Sequence, residues 1–238
     1  MRLLVVLPTY NEALNVEPML RALRSVLPET HVLVVDDASP DGTATIVREV
    51  AAELGKVHLL QRGAKNGLGG AYRAGFSWGL DEGYDTFVEI DCDFSHDPAA
   101  LPTLLAAAVQ HEVVIGSRYV SGGRIPRWKI SRRLLSRGGN QYASLMLGLG
   151  VADSTSGFRV YRDSALRKVE YESVAADGYG FQIEMTYRAR RRGASICEIP
   201  ISFSDRTRGA SKMNTSIVYE ALWLVTKWSL KRPFARTP

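Results

Sequence analysis

The feature that most limits the fold of this chain is a regular alternation of strand and helix patterns through its first half. Short apolar runs typical of buried strands alternate with stretches that carry apolar residues at helical spacing. The predicted strands are residues 3–7, 32–35, 57–60, 86–90 and 112–115, and the predicted helices are residues 15–26, 41–54, 69–82 and 97–109. Because these strands have no polar face, they predict an α/β fold with a mostly parallel central sheet and helices on both faces.

The second half of the chain is less regular. Its patterns predict helices over residues 131–149, 181–192 and 215–230, and strands over residues 158–161 and 196–203. The last helix is amphipathic, with a stripe of apolar residues that includes Ile217, Leu222, Leu224, Val225 and Trp228. We therefore expect one domain over residues 1–212 and an amphipathic extension over residues 213–238. The extension either packs on the domain or lies on a membrane surface.

Composition excludes several protein classes. Hydrophobic residues make up 45% and charged residues 23% of the 238 residues, as in ordinary globular proteins and unlike disordered chains or collagens. The two cysteines, Cys92 and Cys197, are too few for a disulfide scaffold and favour a reducing compartment. The amino-terminal apolar run is too short for a signal peptide, and no run of about 20 apolar residues predicts a transmembrane helix. We expect a cytoplasmic protein.

Polar residues follow the predicted strands at their carboxyl ends, where open α/β sheets bind their ligands. They are Tyr10 and Glu12 after the first strand, Asp36 and Asp37 after the second, Asp91 and Asp93 after the fourth, and Ser117 and Arg118 after the fifth. Asp91 and Asp93 provide hard oxygen ligands, which suit Mg²⁺ or Mn²⁺ together with substrate phosphates. Solvated turns and helix caps are the structural alternatives for these carboxylates.

Three other features of the sequence bear on function. The glycines from Gly67 to Gly70 follow the third strand and fail the G-x-G-x-x-G pattern, so a nicotinamide-dependent dehydrogenase is excluded. Cys92 lies between two carboxylates that would raise a thiol pKa, so we interpret it as a buried spacer rather than a nucleophile. His96 is either a ligand or base, or a structural residue before a helix.

A basic segment occupies the middle of the chain. Residues 113–152 contain no Asp or Glu, whereas they include Arg118, Arg124, Arg127, Lys129, Arg132, Arg133 and Arg137. A field of one sign attracts an anion, which leaves nucleic acid, an anionic membrane surface or a phosphorylated ligand as partners. A solvated loop is the alternative without function.

Several motifs together resemble those of inverting family 2 glycosyltransferases of the GT-A fold. They are residues 8–12, 34–43, 66–69 and 91–98. A second set is similar to motifs of dolichol- or polyprenol-phosphate mannose synthases, and comprises residues 116–119, Trp128, and residues 131–133, 136–138, 153–159 and 206–212. The resemblance extends from about residue 3 to residue 212, which is nearly the whole predicted domain.

The resemblance implies roles for individual residues. Pro8, Tyr10, Glu12, Val35 and Asp37 would hold the donor nucleoside, and Asp91, Cys92 and Asp93 would hold its diphosphate, with Mg²⁺ or Mn²⁺ on the two carboxylates. Arg118, Arg206 and Lys212 would also contact the donor, and Arg118, Arg132 and Ser136 would bind the acceptor phosphate. We expect Asp91, Asp93, Arg118 and Arg132 to be the catalytic residues. Cys92 and Ser95 depart from the family pattern, which has alanine and, in some relatives, a metal-contacting glutamine at these positions.

The basic segment and the resemblance favour the same acceptor. A phosphate monoester is already anionic at neutral pH, because its second pKa is about 6, so it needs arginines rather than a general base. The resemblance implies mannose transfer from GDP-mannose to polyprenyl phosphate, with inversion. We expect a peripheral protein at the cytoplasmic face of a membrane, with or without a membrane-anchoring partner.

Three alternatives stay open from the residues. In the first alternative, the acceptor is the same but the donor is UDP-glucose or another nucleotide sugar. A hydroxyl acceptor activated by Glu184 or Asp177 is the second, although we expect fold-supporting hydrogen bonds from both. The third is a basic module that binds nucleic acid, which the sequence disfavours because it has no recognisable nucleic-acid motif.

Overall fold

The computed structural model describes residues 1–206 and 215–230, with side chains of the last helix described from Ala221 onward. The strands are β1 (Leu3–Thr9), β2 (His31–Asp36), β3 (Val57–Gln61), β4 (Thr86–Glu89), β5 (Val113–Ser117), β6 (Arg159–Arg162) and β7 (Ile196–Pro200). The helices are α1 (Val16–Val26), α2 (Thr43–Leu54), α3 (Gly67–Asp81), α4 (Leu101–Ala107), α5 (Ile130–Leu147), α6 (Asp163–Val169), α7 (Gly178–Arg191) and α8 (Thr215–Leu230).

The seven strands form one sheet in the order β3-β2-β1-β4-β6-β5-β7. All of them run in one direction except β6, which pairs antiparallel with β4 on one side and with β5 on the other. The predicted α/β fold with a mostly parallel sheet is therefore confirmed. The direction of β6 brings its amino-terminal end to the edge where β4 and β5 end.

Helices cover both faces of the sheet, as the apolar strands predict. Leu4 and Val6 of β1 point into a core formed with α3, α5 and α7, whereas Val5 and Leu7 point into a core formed with α1, α2 and α4. Both cores exclude water, since all four of these side chains are fully buried. The alternation along β1 explains why its run of leucines and valines is continuous.

Three elements differ from the sequence expectations. The predicted helix over residues 97–109 is a 3₁₀ turn, Pro98–Ala100, followed by α4, because Pro102 stands in the first turn of α4 and begins a new helix. The predicted strand over 196–203 ends at Pro200, which lies opposite Ser117, the last residue of its partner strand β5. Helix α6 was not predicted, since seven residues hold too few turns to show a helical period.

The carboxyl-terminal helix matches its predicted bounds and packs on the domain. Ala221 and Val225 of α8 are buried in the core shared with α5 and α7. Trp223 and Leu230 are exposed on the other side of the helix. The predicted domain boundary at residue 212 lies outside the described residues. No helix in the described ranges has both the length and the apolar character that a bilayer crossing requires.

Candidate active site

A cavity of about 600 Å³ opens at the carboxyl ends of β1, β2, β4 and β5. The structure brings ten of the predicted site residues together in its lining, which are Pro8, Tyr10, Glu12, Asp37, Asp91, Cys92, Asp93, Arg118, Arg132 and Arg206. Thr155 and Gly157 also line it, because the loop before the antiparallel strand β6 reaches the same edge. Val35 is instead fully buried in the core, and Lys212 lies outside the described residues.

Three turns that carry site residues contain a left-handed, non-glycine residue. Asn11, Ala38 and Phe94 follow β1, β2 and β4 with φ of 55°, 56° and 59°. This conformation costs about 1 kcal/mol or more for residues other than glycine, and it persists where the surrounding structure imposes it. The turns reverse the chain sharply and present the polar residues beside them to the cavity.

The adjacent carboxylates Asp36 and Asp37 have different roles. Asp36 is fully buried and accepts hydrogen bonds from the Thr9 and Ser39 hydroxyls at 2.9 and 2.6 Å, which hold the turn. Asp37 lines the cavity, where it accepts from Arg62 Nη1 at 2.7 Å and from the Asn66 backbone N–H at 3.1 Å. Both partners fix the Asp37 carboxylate in place and leave it at the cavity wall, in the position predicted for a nucleoside contact.

Asp91 and Asp93 line the cavity after β4. Burial and the neighbouring charges of Asp93 and Glu89 raise the pKa of Asp91. Asp93 accepts from the Ser95 backbone N–H at 2.9 Å and pairs with Arg206 Nη2 at 2.7 Å. A cation beside these carboxylates therefore relieves repulsion between like charges.

The chemistry of this pair fits a divalent metal. Two carboxylates that face a cavity are the pattern by which Mg²⁺ or Mn²⁺ is held together with substrate phosphates. Within residues 1–206 and 215–230 there is no group of three or more His, Cys, Asp or Glu side chains arranged to hold a metal by themselves.

His96 lies beside Asp91 but is not ionised. Its Nδ1 is 3.6 Å from Asp91 Oδ2, which is beyond hydrogen-bond distance. Burial and the nearby charge of Arg118 lower the pKa of His96 to about 4, so the ring is neutral near pH 7. The ring packs between Phe158 and Phe203. These contacts favour the structural interpretation of His96.

Arg118 is bound by a carboxylate of the protein itself. Its Nε and Nη2 each donate to Asp153 at 2.7 Å, and Nη2 also donates to the Thr155 hydroxyl at 2.7 Å. Arg118 is 6% exposed and Asp153 is fully buried. Because Arg118 still lines the cavity, its predicted contact with phosphate stays a prediction, but its charge is already balanced within the fold.

Arg132 is more accessible. Its side chain is 46% exposed and lies over the Trp128 ring, with 3.9 Å between the guanidinium carbon and the ring centroid. Arg132 Nη1 donates to Asp205 Oδ1 at 2.9 Å, and Trp128 Nε1 donates to the same oxygen at 2.9 Å. A guanidinium held this way is well placed for an anion that arrives from solvent.

A second, largely apolar cavity of about 120 Å³ lies between α5, α7 and α8. Its lining includes Leu135, Ala143, Ile183, Ala221, Leu222 and Val225. Arg132, Thr155 and Tyr179 line both cavities, so the two are adjacent. Ser136, predicted to bind phosphate, lies in this second cavity and accepts a hydrogen bond from the Tyr119 hydroxyl at 2.7 Å.

Asp177 and Glu184 make the fold-supporting hydrogen bonds expected of them. Asp177 accepts from the Gly69 backbone N–H at 2.6 Å, and Glu184 accepts from the Ala176 backbone N–H at 3.1 Å. Gly67 has φ of +72°, and a Cβ atom there would lie 1.5 Å from Asp177 Oδ2. The glycines at the start of α3 therefore allow Asp177 to approach closely, which explains the motif without a phosphate loop.

Several cavity residues were missed by sequence reasoning. Lys65 lies in the lining with its Nζ 4.3 Å from the centroid of the Tyr10 ring, and Tyr179 and Asp205 also line the cavity. Lys65 and Asp205 directly precede the recognised motifs at 66–69 and 206–212, so their position in the sequence was the available signal. Tyr179 had no such signal, because it reaches the cavity from the start of α7.

Comparison with known proteins gives a consistent result. The family model described as glycosyl transferase family 2 matches residues 4–170. An undecaprenyl-phosphate mannosyltransferase from Micrococcus luteus is 50% identical over 230 residues, which cover 97% of this chain and 95% of that protein. A polyprenol monophosphomannose synthase from Mycolicibacterium smegmatis is 44% identical over 232 residues, with coverages of 97% and 88%.

A solved structure supports the fold. The mannosyltransferase from Pyrobaculum calidifontis in complex with GDP-Man and Mn²⁺ has a TM-score of 0.61 and 19% identity, and the match covers 97% of this chain and 72% of that one. The sheet, the strand-end cavity and these matches agree on the GT-A architecture. The chain is a glycosyltransferase and belongs to glycosyltransferase family 2.

Proposed function

We propose that this protein transfers mannose from GDP-mannose to a polyprenyl phosphate, with inversion, and releases GDP. The observation that carries the proposal is the adjacency of two unlike cavities, which share three lining residues. The main cavity is lined by carboxylates and arginines, and it shares Arg132, Thr155 and Tyr179 with the second, largely apolar cavity, here called the groove. A phosphate joined to a hydrocarbon chain is the acceptor that needs both. The names of the relatives at 50% and 44% identity support the same acceptor and sugar.

The donor would occupy the polar cavity, with its nucleoside near Tyr10 and Asp37 and its diphosphate near Asp91 and Asp93. Mg²⁺ or Mn²⁺ held by these two carboxylates would supply Lewis-acid stabilisation of the leaving diphosphate. Arg206, which pairs with Asp93 at 2.7 Å, lies close enough to donate charge-assisted hydrogen bonds to the same group. Lys212 is proposed to act with Arg206.

The acceptor would place its phosphate at Arg132 and its first apolar units in the groove between α5, α7 and α8. A phosphate monoester carries its negative charge at neutral pH, so no side chain has to remove a proton before attack. Attack on the anomeric carbon from the side opposite the leaving diphosphate inverts its configuration. The hydrogen bonds of Asp177 and Glu184 fit this proposal, because both carboxylates are used by the fold.

We further propose that the protein works at the cytoplasmic surface of a membrane. Helix α5 exposes apolar side chains close to the groove, namely Ile130, Leu134 and Leu135. Arg133 and Arg137 stand on the same helix, and cations beside exposed apolar residues suit a surface of anionic lipid. Such placement would bring the groove to the membrane in which a polyprenyl phosphate is dissolved. A separate anchoring protein is compatible with this arrangement.

The direct test is a transfer assay with a short polyprenyl phosphate and Mn²⁺. GDP-mannose and UDP-glucose are supplied in parallel, and the products are identified by mass. We expect a mannosylated lipid with GDP-mannose alone. Product with UDP-glucose alone would replace the donor and keep the acceptor, whereas no lipid product with either would overturn the acceptor.

Arg132→Ala separates the two substrates within this assay. We expect a higher KM for the lipid phosphate and little change in GDP binding. Arg127→Ala is the matched control, because Arg127 directly precedes Trp128, is exposed and lines neither cavity. An effect of Arg132→Ala on GDP binding alone would assign Arg132 to the donor.

A further inference from the structure

Asp205 forms an ion pair with Arg132, the arginine that is proposed to bind the acceptor phosphate. Its Oδ1 accepts from Arg132 Nη1 at 2.9 Å and from Trp128 Nε1 at 2.9 Å. The Asp205 side chain is 42% exposed and lines the main cavity. An anionic oxygen within hydrogen-bond distance of this guanidinium is also what a phosphate monoester would supply. The Asp205 carboxylate and the acceptor phosphate cannot make this contact with Arg132 Nη1 at the same time.

The segment around Asp205 is tied to the donor side. Phe203 and Ser204 donate backbone hydrogen bonds to the carbonyls of Arg124 and Ser95, at 2.9 and 3.1 Å. The next residue after Asp205 is Arg206, which pairs with Asp93. Two neighbouring residues of opposite charge therefore contact opposite sides of the cavity. The backbone bonds hold Asp205 beside Arg132, whereas its own side chain is half exposed and able to turn away.

We propose that Asp205 is an autoinhibitory positioning residue, which occupies the phosphate-binding face of Arg132 until the acceptor phosphate displaces it. The inference rests on the proposed acceptor. Asp205 keeps the guanidinium oriented over Trp128 when no acceptor is bound, and it lowers the affinity for the acceptor by competing with it. Displacement also changes the surroundings of the Trp128 indole N–H, because Asp205 is its hydrogen-bond partner.

The size of the expected change in acceptor affinity follows from the exposure of the Arg132 and Asp205 side chains. Pairs between half-exposed charges are weak, so a phosphate dianion can displace the carboxylate. Loss of such a competitor is expected to tighten binding of the acceptor by about two- to fivefold. A residue that merely supports the fold would have the opposite effect when changed, since loss of support weakens binding.

The test uses Asp205→Asn in the full chain. The amide oxygen can still accept from Trp128, but the charge that attracts Arg132 is gone. Citronellyl phosphate is the probe, and its Kd is measured by calorimetry without donor, beside the KM for transfer with GDP-mannose. We expect both to fall by about two- to fivefold. GDP binding should not change.

Two controls make the result specific. Glu53→Gln removes an exposed carboxylate that is paired with an arginine on α1 and lines neither cavity, and it should leave the Kd unchanged. Asp205→Asn in an Arg132→Ala background should have no effect on the Kd, because the guanidinium for which the carboxylate competes is absent. A second measurement needs no variant at Asp205: citronellyl phosphate should change the tryptophan fluorescence of the wild-type protein, and Trp128→Phe should remove that change.

The outcomes separate this inference from the proposed function. Wild-type protein that mannosylates citronellyl phosphate, with a Kd that Asp205→Asn leaves unchanged or raises, overturns the role of Asp205 and keeps the proposed function. A tryptophan signal that persists in Trp128→Phe also counts against displacement at Asp205. Wild-type protein that neither binds nor glycosylates the probe overturns both proposals.

Discussion

The two sides of the cavity are built in different ways. On the donor side, Glu12, Asp37 and Asp93 are each less than 8% exposed, and backbone N–H groups hold both Asp37 and Asp93. On the acceptor side, Arg132 and Asp205 are each more than 40% exposed in their side chains and are held by each other.

This difference separates a fixed site from an adaptable one. Backbone donors near the strand ends are fixed by the fold, so they hold the Asp37 and Asp93 carboxylates in place. The Arg132–Asp205 pair is half exposed, and a pair of this kind is weak, so a competing anion can replace the carboxylate. A nucleotide has one shape to recognise, whereas a lipid phosphate arrives with a flexible chain at a surface.

Asp93→Ala should have the largest effect and tests the fixed side. We expect transfer to fall at least about 1000-fold, because the site loses one of two carboxylates that would hold the metal at the developing charge. Asp97→Asn is the control in the same turn, since Asp97 lines neither cavity and asparagine can still accept from the Ala99 N–H. Steady-state kinetics with GDP-mannose measure the effect. Near-normal activity of Asp93→Ala would remove the carboxylates from the chemistry.

Asp153→Asn tests whether Arg118 belongs to the fixed side. Removal of one partner of a buried ion pair leaves the other charge uncompensated, so we expect a loss of about 3–5 kcal/mol in the free energy of unfolding. Urea denaturation measures it. Asp163→Asn, at an exposed pair with Arg167, should change stability by no more than about 0.5 kcal/mol. A small effect at Asp153 would mean that Arg118 is as adaptable as Arg132.

Gly67→Ala tests the contact that joins α3 to α7 beside the cavity. The substituted Cβ would collide with Asp177 and would adopt an unfavourable positive φ, so we expect a loss of about 2–4 kcal/mol in stability. Gly63→Ala is the matched control in the preceding loop, because nothing lies within 4 Å of a Cβ atom built there. Equal stability of the two variants would contradict the close approach of Asp177.

The smallest expected effect is a pH dependence of stability that arises from two histidines, one in β2 and one in β3, which line neither cavity. His31 Nδ1 and His58 Nε2 are 3.0 Å apart, and burial lowers the pKa of both rings, with the charge of His58 contributing at His31. Below a pH of about 6.5 the unfolded chain therefore binds more protons than the folded one, and stability falls as the pH decreases. The fall should be less than about 1 kcal/mol, because both rings are partly exposed.

Urea denaturation at several pH values, for wild type and His58→Gln, isolates this contribution from the carboxylates of the site. The wild type should lose more stability than the variant between pH 7.5 and 5.5. Parallel curves for the two proteins would assign the acid sensitivity to other groups.

Much of the fixed side was predictable from the sequence, and the reason is topological. Parallel strands end at one edge, so Tyr10, Asp37, Asp91 and Asp93 had to converge once the strands were recognised. The direction of β6 was not predictable, because a four-residue apolar run reads the same in both directions. Its reversal is what brings Asp153 to Arg118.

The adaptable side was predictable in composition but not in arrangement. The acid-free segment predicted an anion site, and Arg132 lines the cavity. The contact of Arg132 with Asp205 joins residues 73 positions apart, and no local period encodes it. Val35 was assigned to the nucleoside by resemblance, whereas its side chain is needed in the core.

The place of β6 in the sheet also affects how the chain is made. Strand β4 pairs with β1 on one side and with β6 on the other, yet 69 residues lie between the last residue of β4 and the first residue of β6. During synthesis β4 is therefore an open edge, rich in apolar side chains, until β6 leaves the ribosome. Cellular folding factors that bind unpaired strands would have their opportunity in this interval.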